Sequence, residues 1–184
     1  MLTLHQRRVA NERDLLDRAA ALNPAILRVT DSVIHTDSSR FDLELLASPA
    51  LIRQDGALVV ASTHAAQLRL PRFFPAVPIE VYLKRAVFHP NVDPDNGFVC
   101  LWRQFSPDDT CFDAIRRLRQ IMAWKMMNPD PLEVIQPEAI AWFEDPNREP
   151  AGPFEFDEMH NPEPERQFLP GRPPAGGRRK RLFG

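Results

Sequence analysis

The chain has 184 residues, 43% of them hydrophobic, and a formal net charge of −2. That is enough apolar material for one domain with residues to spare, so no metal or disulfide is needed to hold a core. The charge argues against nonspecific nucleic-acid binding by the whole fold, and no stretch reaches the roughly 18 apolar residues that a membrane span requires. Charge enters the N-terminus at His5 and Arg7, so no signal-peptide core is read there and a cytoplasmic location is expected. Cys100 and Cys111 are too few for a disulfide framework and belong to no CxxC or Cys/His ligand cluster, so both are expected to be reduced thiols, with no metal or cofactor.

In chain order, residues 3–21 read as an amphipathic helix. Leu4, Val9, Leu15, Leu16 and Ala19 form its apolar stripe, and Asn23-Pro24 ends it. From Ile26 to Leu83 short β-branched runs alternate with turn residues. ILRVTDSVIH, RFDLELLA, ALVVASTHAAQLRL and PIEVYL read as four strands, parted by DSS, SPALIRQDG and PRFFP, and loops this short suggest an antiparallel meander. Residues 110–127 carry Phe112, Ile115, Leu118, Met122 and Met126 at helical spacing, with Thr110 as N-cap and Asp113 completing a capping box. Residues 137–144 open with a proline suited to a first turn and read as a second helix. From Pro146 onward prolines, few aliphatic residues and a basic end (GGRRKRLFG) describe a tail, 146–184, expected to drape on the domain near Phe154 and Phe156.

The stretch 88–100, FHPNVDPDNGFVC, places a cysteine just past a hydrophilic turn. A calcium loop fails on register: counted from Asp93, glycine falls at the fifth place rather than the sixth, and Gln104 stands where a glutamate is needed. A cysteine hydrolase needs a base beside Cys100, and His89, locked between Phe88 and Pro90, is the nearest candidate. The third reading is a thiol that carries an acyl group. Of 23 basic residues only Lys84, Lys125 and Lys180 are lysines. A GC-rich, bacterial genome accounts for that imbalance, and so does a protein that gains by offering few amines to its own acyl cargo.

Residues 1–145 resemble a ubiquitin-conjugating enzyme. The resemblance is carried by FPAVPIEVYLKRAVFHPN, by the cysteine that follows, by CLWRQFSPDDT and by NPDPLEVIQPEAIAWFED, in the order that family has them. It implies an α+β fold: an N-terminal helix, a four-stranded antiparallel meander, an active-site loop and C-terminal helices. Four departures are visible. Asn91 to Cys100 spans nine residues where eight is common, and the loop from Cys100 to Ser106-Pro107 is short. The Pro-Tyr-Gly-Gly stretch is missing, and Ala76 stands where an aromatic commonly docks ligases.

The resemblance further implies a domain at 1–145 in which Cys100 takes a ubiquitin-like modifier as a thioester from an activating enzyme and passes it to a target amine. Asn91 is then either an oxyanion donor or a brace of the cysteine loop, and His89 is structural. Asp130 is the acid that receives the amine's proton, with Asp108 and Asp109 as alternatives. Arg7, Arg8 and Arg13 on the first helix match the part of the family that meets the activating enzyme. The family's bacterial relatives imply an operon partnership and a role in antiviral defence. Other readings left open are a noncatalytic module that binds ubiquitin-like proteins and the cysteine hydrolase.

Overall fold

The computed structural model describes residues 3–35, 38–127 and 134–163. Helix α1 covers Leu4–Leu22 and opens with a capping box in which Thr3 and Gln6 satisfy each other's backbone N–H groups. Strands β1 (Leu27–Ile34), β2 (Ser39–Leu45), β3 (Ala50–Gln54), β4 (Ala57–Ala61), β5 (His64–Leu70), β6 (Glu80–Leu83) and β7 (Phe98–Val99) follow, then helices α2 (Cys111–Met122) and α3 (Pro137–Glu144). The main sheet runs β1-β2-β5-β6-β7, antiparallel at every described pairing. The α+β architecture expected from the sequence, with its N-terminal helix, meander and later helices, is the one observed.

The segment 48–70 departs from expectation in detail. SPALIRQDG is not a loop, and ALVVASTHAAQLRL is two strands rather than one. β3 and β4 form a separate hairpin in which Gln54 faces Ala57. Asp55 and Gly56 at its tip both have positive φ, 51° and 82°, the two-residue geometry that Asp-Gly favours. Ser62 and Thr63 then separate β4 from β5.

Alternation along the strands builds the core. Phe41, Leu43 and Leu45 of β2, Leu68 and Leu70 of β5, and Val81 and Leu83 of β6 are buried on one face. They join Val9 and Leu16 of α1 and Ile115, Leu118 and Ile121 of α2 in a single cluster. α1 and α2 are also joined by charge. Glu12, buried, accepts the Cys111 N–H at 2.7 Å and pairs with Arg8 at 2.9 Å, so a carboxylate sits on the first N–H of α2.

α2 has the expected N-terminus, with Thr110 and Asp113 forming the reciprocal cap. It ends at Met122, four residues before the last apolar position of the periodicity, Met126. Trp124 takes φ +60°, and the N–H of Lys125 returns to the Gln120 carbonyl at 2.8 Å, a left-handed helix stop made without glycine. Such a conformation is costly for a bulky residue. Here the ring is locked by stacking on Phe143 (5.2 Å between centroids) and by contacts with Phe88, His89 and Trp142.

Residues 146–163 lie against the domain. Phe154 donates its N–H to the Ala123 carbonyl, Met159 enters the main cluster, and Asn23 exchanges two hydrogen bonds with the backbone of His160. Arg119, 2% exposed, holds the strap from below. Its guanidinium donates to Ser48 Oγ at 3.0 Å, the Asp157 carbonyl at 2.8 Å and the Ala47 carbonyl at 3.3 Å, and lies over the Phe156 ring. Ending the chain at residue 152 strips this buried cation of a charge-assisted partner. Stability is expected to fall by about 3 kcal/mol, or roughly 6–12 °C in Tm for a domain of this size. Arg119→Ala should also destabilise, and the two changes together should cost less than their sum because the contacts of Arg119 with residues 156 and 157 are lost in both; thermal unfolding of the three variants checks this.

Candidate functional site

The loop from Phe88 to Cys100 is built from its tip inward. Asp93 Oδ1 accepts the Asp95 N–H at 2.9 Å, Asp93 Oδ2 accepts from Asn96 Nδ2 at 2.8 Å, and Asn96 Oδ1 accepts the Phe98 N–H at 2.7 Å. The Asp93 carboxylate is thus engaged in shaping a turn. Gly97 has φ +76°, and a Cβ there would stand 1.9 Å from the Leu83 carbonyl oxygen, so only glycine closes the turn. Beyond the tip the two arms pair. Val92 bridges Val99, and the Cys100 N–H donates to the Asn91 carbonyl at 2.8 Å. Asn91 therefore stands opposite Cys100 across the turn.

The His-Pro-Asn turn is clamped from behind. His89 has no exposed surface; its Nδ1 accepts the Asn91 N–H at 3.1 Å and its ring packs 4.6 Å from Trp124. Burial pushes its pKa down to about 3, so the ring is neutral near pH 7. Gln136, buried just ahead of α3, donates through Nε2 to the Val87 carbonyl at 3.1 Å and the Val92 carbonyl at 2.7 Å. Ile135 donates its N–H to the Pro90 carbonyl at 2.8 Å. The sequence reading passed over Gln136; the available signal was a polar residue directly before a proline at a helix start.

Cys100 is half-buried and Cys111 fully buried. Cys100 opens into a cleft of about 250 Å³ that it shares with Asn91. Leu101, Ile121, Met126 and Met127 give the cleft an apolar lining, and its two remaining lining side chains are Arg103 and Arg117. Asn91 Nδ2 donates to the Cys100 carbonyl at 3.4 Å, a long bond that braces the loop. Cys111 is a different kind of thiol: burial first, then the carboxylate of Glu12, hold its pKa well above the usual range.

Of the other residues singled out by sequence, Asp130 lies outside the described residues. Asp108 and Asp109 do not line the Cys100 cleft. Asp109 Oδ2 accepts the Ser106 N–H at 2.7 Å, and the Asp108 N–H reaches Ser106 Oγ at 3.3 Å. On α1, Arg8 works inside the molecule: besides Glu12 it donates to the Asp109 carbonyl at 3.2 Å and lies over the Phe74 ring. Arg13 pairs with Asp17 at 2.9 Å, and Arg7 is exposed.

No protein-family model and no curated protein matches the chain. Solved structures do. A ubiquitin-conjugating enzyme by name, from Trypanosoma cruzi, is 18% identical with a TM-score of 0.51, over 79% of this chain and 93% of that one. Ubc12 of S. cerevisiae is 20% identical with a TM-score of 0.53, over 79% of this chain and 74% of that one. The chain has the ubiquitin-conjugating-enzyme fold. No helix among the described residues is long and apolar enough to cross a membrane.

Two outcomes are expected. In the native protein iodoacetamide alkylates Cys100 and spares Cys111, while in guanidinium both react; peptide mapping by mass spectrometry reads the difference. Because the folded pKa of His89 lies near 3 and its unfolded value near 6.5, the unfolded chain binds a proton the folded one refuses, and stability is lost as pH falls through that window. From pH 7 to pH 5 the wild type should lose about 2 kcal/mol more than a His89→Gln variant, measured by denaturant unfolding at both pH values.

Proposed function

We propose that this protein is a conjugating enzyme that accepts the C-terminal carboxyl of a ubiquitin-like modifier as a thioester on Cys100 and transfers it to an amine of a target protein. The observation that carries the reading is an accessible thiol held opposite Asn91 in an apolar-lined cleft, on the fold of ubiquitin-conjugating enzymes. A hydrolase would need a base at Cys100, and His89 is buried, neutral and committed to the Asn91 N–H.

The chemistry divides among few groups. An activating enzyme delivers the acyl group, Cys100 Sγ attacks its thioester carbonyl, and the donor thiolate leaves. In the second half an amine nitrogen attacks the new thioester, the C–S bond breaks, and Cys100 departs as thiolate. The amine must lose a proton, since a free lysine with pKa near 10.4 is mostly charged at neutral pH. By its match to the family's acidic position, Asp130 takes that role. The apolar lining supports it by favouring the neutral amine and by keeping water from the thioester. Asn91 serves first as the brace of the Cys100 carbonyl, and by its match to the family's asparagine its side-chain amide is the donor to a developing oxyanion. Arg7, exposed on α1 while Arg8 is committed, is the arginine left to meet the activating enzyme.

The test is direct. With ATP, activating enzyme and modifier, the wild type is expected to form a thiol-reducible adduct that Cys100→Ala lacks; identical behaviour of the two sinks the reading. Asn91→Ala should load but discharge to free lysine about a hundredfold more slowly, a loss of roughly 3 kcal/mol, followed by single-turnover gel assay.

A further inference from the structure

Two guanidinium groups stand at the Cys100 cleft, and among the described residues no ion pair engages either of them. Arg103 and Arg117 line it, and among the described residues neither has a carboxylate within salt-bridge distance. Other arginines of the domain are paired, Arg8 with Glu12, Arg13 with Asp17, Arg28 with Glu44 and Arg40 with Asp42. Arg119 is sunk among carbonyls. Arg117 rests over the Trp102 ring at 4.9 Å, which orients it without neutralising it. Asp109 borders the adjoining groove with both arginines and accepts the Ser106 N–H through Oδ2, but it forms no ion pair with either arginine and does not line the Cys100 cleft.

We propose that Arg103 and Arg117 select the acyl donor: the modifier carried on Cys100 bears carboxylate side chains within a few residues of its C-terminal carboxyl. This rests on the thioester reading given above. Whatever is joined to Cys100 must lead away through this cleft, and a guanidinium fork binds a carboxylate with two parallel hydrogen bonds. The acceptor is the poorer match, because an incoming lysine ammonium is repelled by the same two cations.

The choice of cation follows from the chemistry of the cargo. A guanidinium stays protonated and cannot attack a thioester, whereas a lysine at the same place can. Its nitrogen would add to the carbonyl, the C–S bond would break with Cys100 leaving as thiolate, and the amine's proton would pass to solvent, giving a dead-end amide. Both cations lining this cleft are arginines, in a chain whose 23 basic residues include only three lysines.

Synthetic peptides ending in glycine as thiophenyl esters bypass the activating enzyme and test this on the whole protein. Three are compared, carrying aspartate, serine or arginine pairs just before the terminal glycine, and transfer to Cys100 is followed by intact mass. The aspartate peptide should load about tenfold or more faster than the arginine peptide at low salt, with serine between them and the gap closing as salt rises. Arg103→Glu combined with Arg117→Glu should reverse the order. Arg103→Lys should keep the acid preference while converting thioester into thiol-resistant amide at residue 103. Equal rates for the three peptides, an order unchanged by the double reversal, or no transfer to Cys100 from any of them overturns the proposal. ATP-dependent loading of a modifier in the presence of equal peptide rates would remove this inference and leave the conjugating activity standing. Acid preference without ATP-dependent loading of a modifier would overturn the conjugating reading and, with it, this inference about the modifier's tail.

Discussion

Cys100 and Asn91 face each other because two short chain arms pair between them and a turn at the far end permits it. The bond from the Cys100 N–H to the Asn91 carbonyl and the Val92–Val99 bridge set this register. A slip by one residue would send the thiol to the opposite side of the arm. The register in turn depends on Gly97, whose backbone passes so close to Leu83 that no side chain fits. Everything proposed for the site follows from this small hairpin being held in register with the half-buried Cys100 on the wall of the cleft.

Rigidity comes from behind the loop rather than from the cleft. His89 is driven out of water far enough to lose its charge near neutrality, which frees Nδ1 to accept a backbone hydrogen bond. Trp124 covers the imidazole, and its left-handed backbone is tolerated because Phe143 and Trp142 hold the ring. Gln136 ties Val87 to Val92 across the turn. These three residues leave the thiol's own side of the loop to an apolar lining and two cations, an arrangement suited to keeping an acyl group from water.

Three uses of arginine stand out. Exposed ones pair with carboxylates along α1 and across the sheet, where each pair contributes little. Arg119 is buried and organises Ala47, Ser48 and Asp157 around one guanidinium, so the strap after α3 belongs to the folded unit as far as residue 163. Arg103 and Arg117 line the cleft, unpaired among the described residues.

Much of this was legible in the chain order of residues. The periodicity of α2, its capping pair Thr110 and Asp113, and the proline opening α3 are local signals, and the structure has those elements at those starts. The ordered segments around His89, Asn91 and Cys100 pointed to the fold. The β3–β4 hairpin was missed although Asp55-Gly56 marks it, because strand-forming residues run on through its neighbour. The end of α2 was missed because Trp124 carries no signal for a left-handed stop. Local spacing decided which residues became helix or strand, since caps, turns and alternation act over a few positions. Only the tertiary structure decided that Arg119 would meet Ser48 and Asp157, that Glu12 would cap α2, and that Gln136 would clamp the active loop. Those partners lie tens of residues apart, and burial, which no local pattern reports, is what makes each contact matter.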